Sequence, residues 1–80
     1  MKLKVEVFKS CQGHLNKQKD YEAKLNDFVK NGFGNSNDAK ECKLMALYHR
    51  LVISEQKFTN ELLTDASKRR IFNIAERRII

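Results

Sequence analysis

Met1-Lys2-Leu3-Lys4-Val5-Glu6-Val7-Phe8 is the stretch on which the reading of the fold turns. Apolar Met1, Leu3, Val5 and Val7 alternate with charged Lys2, Lys4 and Glu6. A period of two carried partly by β-branched residues predicts a half-buried strand, here ending near Phe8. Ser10 to Gly13 reads as a turn, and from Leu15 to Asn31 the period lengthens. Tyr21, Leu25, Phe28 and Val29 make one helical stripe, with Lys17, Lys24, Asn26 and Lys30 mostly outside it. Gly32 follows where a helix C-terminal glycine belongs.

Gly32 to Asn37 is loop-like, and Asp38 with Glu41 has the spacing of a capping box. All three glycines lie at or before Gly34 and the chain has no proline, so residues 35–80 lack the strongest helix breakers. Leu44, Leu47, Leu51, Phe58 and Leu62 follow helical spacing, which predicts a helix through Ala39 to Ile53. Ser54 marks a break, a further helix carries Phe58, Leu62 and Leu63, and Asp65 caps a last one from about Ala66. Leu44 to Ile53 is also apolar enough for a buried strand, but Ala, Leu, Met, Lys and Glu dominate from Ala39 to Leu47 and favour helix. A lone strand is unstable in water, so the first segment needs a copy of itself, a partner protein or a second strand within the chain to pair with. The expectation is a single α+β domain over residues 1–80, dominated by helices, with an N-terminal β-strand followed by three or four α-helices. A homodimer or a partner-bound protein follows from it.

Eighty residues hold one core of marginal size. An apolar share of 41% beside 32% charged residues suits a folded globule and is too apolar for a disordered chain. The net charge of +6 favours acidic partners such as nucleic acid. No apolar run reaches the roughly 18 residues of a membrane span, and the alternating N-terminus does not look like a secretory leader. Two cysteines without a leader fit free thiols in a reducing compartment, so a cytoplasmic location is expected.

Lys68-Arg69-Arg70 and Arg77-Arg78 place five cations against one acid, Glu76, in the last thirteen residues. Ile71, Phe72, Ile74, Ala75, Ile79 and Ile80 are threaded between them, as in a helix with one apolar and one positive face. At 100° per residue Arg70 and Arg77 are about 20° from eclipsed, with Asn73 and Arg69 beside them. Such a row suits phosphates, and Asn is a side chain that can read adenine edges. As an ordinary solvated face, the same segment would pair Asp65 with Arg69 and set its cations against the helix dipole. Lys2, Lys4, Lys9, Lys17 and Lys19 form a second basic cluster, which on a strand would equally discourage edge-to-edge pairing.

Cys11, His14, Cys42 and His49 are four residues of the types that hold zinc, but their spacing matches no common finger. Cys42 then reads as a small buried hydrophobe. No phosphate loop, nucleophile elbow or zinc-protease motif is present, and no catalytic residue or cofactor is expected. The sequence therefore points to a non-enzymatic nucleic-acid-binding or regulatory protein contacting phosphates through Lys68, Arg69, Arg70, Arg77 and Arg78, with Asn73 reaching a base. The alternative is an inhibitor or adaptor that docks on a host nucleoprotein machine through the strand edge. The strand-helix opening and Lys/Asn-rich composition resemble those of small phage and mobile-element proteins.

Overall fold

A computed structural model describes residues 2–79, so Met1 and Ile80, assigned above to a strand and to an apolar helix face, lie outside the described residues. Three helices make up the fold: α1 (Val5–Lys30), α2 (Asn37–Thr59) and α3 (Asp65–Ile79). No strand occurs among the described residues, so the α+β expectation is corrected to an all-helical architecture.

The expected strand is the first turns of α1, opened by the Phe8 N–H donating to Lys4 O at 2.9 Å. A strand would have set Leu3, Val5 and Val7 on one face. The helix buries Val7 completely and leaves Val5 68% exposed. From Val7 the inward residues advance in steps of four and three: Cys11, His14, Gln18, Tyr21, Leu25 and Phe28, all buried or half-buried. That period continues unbroken through Ser10 to Gly13, which is helix and not a turn. A helix satisfies its backbone groups within itself, whereas a lone strand leaves them unpaired. The strand edge offered as a docking element is therefore absent, and the fold no longer requires a second copy to complete a sheet.

α1 ends as its glycine foretold. Gly32 takes φ +83°, its N–H donates to Val29 O at 3.1 Å, and the Phe33 N–H donates to Phe28 O at 2.7 Å. This is the paired-bond stop in which a left-handed glycine costs nothing. The next cap is Ser36, whose Oγ accepts from the Ala39 N–H at 3.2 Å, in place of the Asp38–Glu41 box. α2 then runs straight through Leu44 to Ile53 and past Ser54, so the break and the separate helix over Phe58, Leu62 and Leu63 do not occur. It stops at Asn60, in the left-handed conformation at φ 54°. Thr64, one residue before Asp65, caps α3 by accepting from the Ser67 N–H at 3.2 Å.

α2 is the central element, with α1 and α3 each antiparallel to it; no Cα of α1 lies within 8 Å of one in α3. The result is elongated, 42 × 21 × 17 Å. The fully buried apolar residues are small: Val7, Cys11, Ala39, Cys42, Val52 and Ala75. Between α1 and α2 the buried set also includes Gln56 and His49. Gln56 is satisfied throughout: Nε2 donates to Ser10 Oγ at 3.0 Å and to Cys11 Sγ at 3.6 Å, and Oε1 accepts from the Leu63 N–H at 3.3 Å. At the same end Asn60 Oδ1 accepts from the Lys4 N–H at 2.9 Å, and Lys4 Nζ pairs with Glu61 at 2.7 Å. The start of α1 is thus fastened to the end of α2. No helix among the described residues is long and apolar enough to cross a membrane.

Candidate nucleic-acid interface

The amphipathic reading of the last segment carries into α3. Ala75 is buried against α2, and Lys68, Ile71, Phe72 and Ile79 are half-buried beside it. Arg69, Arg70, Asn73, Arg77 and Arg78 are exposed, and Ile74 joins them at 38% exposure instead of entering the core. Among the described residues the one ion pair is Lys4–Glu61, so the expected Asp65–Arg69 pair does not form and the α3 cations stand without carboxylate partners.

The six anticipated residues do not share one direction. Lys68, Arg69 and Asn73 line a hollow of about 520 Å³ with Tyr48, Asp65 and Phe72. The Tyr48 and Phe72 rings meet edge to face there, with centroids 5.7 Å apart. Burial, then the Asp65 carboxylate, raises the Tyr48 hydroxyl above its ordinary value. Arg70 and Arg77 sit on the outer crest of the helix. Arg78 lies about 100° from Arg77, on the flank away from this hollow.

Tyr48 and Lys68 also belong to the adjoining cleft, where the three helices converge. An open cleft of about 430 Å³ is lined by His14, Lys17, Asp20, Tyr21 and Lys24 of α1, Met45, Tyr48 and His49 of α2, and Lys68 of α3. Lys17 comes from the N-terminal basic cluster, so that cluster and the C-terminal one meet across this opening. Lys4 does not take part, being held by Glu61.

The cleft floor is a histidine pair. His14 and His49 face each other with Nδ1 atoms 2.8 Å apart. One ring must donate Nδ1–H and the other must accept, because two protonated Nδ1 atoms would oppose donor to donor. Tyr21 stacks on His49 with ring centroids 6.0 Å apart, and Tyr48 meets it edge-on at 5.0 Å. Burial, then His14 and Lys17, lowers His49 to about 4. His14 is lowered as well, by burial first and then by Lys68 and Lys17. Both rings are neutral at physiological pH.

The four potential zinc ligands are therefore divided. The histidines meet, but Cys11 is bonded to Gln56, and Cys42 lies two turns from His49 toward the other end of α2. No group of three or more His, Cys, Asp or Glu suited to a metal occurs among the described residues. The sequence reading missed Tyr21, Tyr48 and Lys24 as cleft residues. For Tyr21 the signal was the three-and-four stripe through α1, on which His14 and Tyr21 fall at seven-residue spacing; Tyr48 and Lys24 had none. Compared with known proteins, the chain matches no protein-family model, no curated protein and no solved structure.

Proposed function

We propose that the protein binds nucleic acid without catalysis, gripping phosphates with the outer face of α3. The observation that carries this reading is charge placement. Arg69, Arg70, Arg77 and Arg78 are exposed and make no ion pair among the described residues, and Lys17 and Lys24 extend the positive surface across the cleft at Lys68. Cations without carboxylate partners are what displaces counterions from a phosphate backbone. Asn73, exposed at the hollow beside that crest, would be the side chain that reaches a base edge.

The test is binding to a fluorescent oligonucleotide over a salt series. Affinity should fall with a log–log slope of roughly −0.7 to −0.9 per phosphate engaged. Replacing Arg70 and Arg77 together with alanine should reduce the slope by about two such units while the helical circular dichroism stays unchanged. A flat salt dependence overturns the reading.

A docking role on a nucleoprotein machine has one observation in its favour now that the strand edge is gone. Phe58 is 86% exposed, and Phe8 and Leu62 are about half exposed in the same end of the chain's fold. It predicts a stoichiometric protein complex that survives nuclease and depends on Phe58 more than on the arginines.

A further inference from the structure

In the three-helix cleft Lys17, Lys24 and Lys68 face one carboxylate, Asp20, and none of the three is in an ion pair. Lys68 is half-buried, and Lys24 Nζ lies over the Tyr21 ring, 5.4 Å from its centroid. The other polar groups of the lining are imidazoles and phenols. With both Nδ1 atoms engaged to each other, one ring of the His14–His49 pair must carry its proton on Nε2.

We propose that this cleft binds a phosphate monoester, with its oxygens held between Lys17 of α1 and Lys68 of α3. The proposal rests on the basic surface read above as a nucleic-acid contact and adds the ligand chemistry of the cleft that joins its two halves. Three lysines against one aspartate leave two positive charges, which matches a dianion. Lysine binds phosphate as a point charge from any direction. A volume of about 430 Å³ exceeds what one phosphate fills and falls within the range of roughly 300–1,000 Å³ typical of small-ligand sites. A sugar and base can therefore accompany the phosphate, and Tyr21 and Tyr48 supply aromatic walls. The same lysines oppose a metal cation between the imidazoles. The monoester can come from a free mononucleotide or from the terminus of a nucleic-acid chain.

Titration of the full-length protein, followed by the imidazole proton resonances, tests this. The probes are adenosine monophosphate, adenosine, and one oligonucleotide with and without a terminal phosphate. Saturable shifts at His14 and His49 with adenosine monophosphate but not adenosine place a free nucleotide in the cleft. Shifts seen with the phosphorylated oligonucleotide alone place a chain end there. Lys17→Gln with Lys68→Met, which keeps the stems that pack, should weaken either ligand by about 100-fold, roughly tenfold per charge-assisted contact. Lys57→Gln, an exposed change outside the cleft, should leave it as it was. Circular dichroism of the double variant guards against simple unfolding, and Lys17→Gln alone serves if that variant fails to fold. The proposal is overturned if removing the phosphate group leaves affinity unchanged, if neither phosphorylated probe moves the histidines, or if the lysine variant binds like the parent. An unphosphorylated oligonucleotide that still binds with the expected salt slope would leave the wider nucleic-acid reading standing. Monoester binding without any oligonucleotide binding would leave the cleft and remove that wider reading.

Discussion

His49 shows how one side chain can set a pH limit on the whole molecule. Its imidazole is 4% exposed, bonded to His14, and held near 4, below the ordinary value of 6.5. Below about pH 6.5 the unfolded chain takes up a proton that the folded chain refuses. The stabilisation is complete above that pH and is lost as pH falls toward the folded value. Between about pH 7 and pH 5 the folded state should lose on the order of 2 kcal/mol, measured as a falling urea midpoint. His49→Phe should flatten that slope; an equally steep loss in the variant would show that other groups are responsible. The pairing itself was only half legible. His14 and His49 stand out as titratable residues in the sequence, but nothing in their spacing shows that antiparallel packing opposes them and leaves Cys42 behind. The cations of α3 were easier to find, since a helix with apolar residues at three-and-four spacing leaves its arginines nowhere but outside.

Among the elements, α1 is where local pattern and tertiary demand disagreed. Met1 to Phe8 alternates because Val5 is apolar yet exposed, and the true stripe from Val7 onward was disguised by Cys11, His14 and Gln18, which do not look like core residues. Gln56 and His49 of α2 explain part of the disguise, for Gln56 bonds Ser10 and Cys11 and His49 pairs with His14 across the seam. Gly32 and the breaker-free second half were legible because they act through the backbone, whatever packs around them. The assignment of α1 has a direct test in Lys9→Pro, an exposed site one turn into the helix. Proline there should cost about 3 kcal/mol and remove helical signal, because it deletes a backbone bond and clashes with the preceding turn. A stability within about 0.5 kcal/mol of the parent would contradict a helix at this point.

The whole molecule is two helix pairs sharing α2, and the pairs are unequal. α1 lies along α2 through Val7, Cys11, His49, Val52 and Gln56, while α3 contributes Ala75 as its fully buried residue. Native-state hydrogen exchange should therefore find α3 the least protected helix, opening without loss of the α1–α2 pair. Uniform protection across all three helices would show that they open together. The same layout governs the order of assembly. Each helix meets only its neighbours in sequence, so contacts are local and connections short, a topology associated with rapid folding. Everything that α1 and α2 share lies between Lys4 and Glu61, and the arginines of α3 follow it in the chain. The α1–α2 hairpin can thus close without α3, and the strongly cationic helix then has a finished scaffold to dock on.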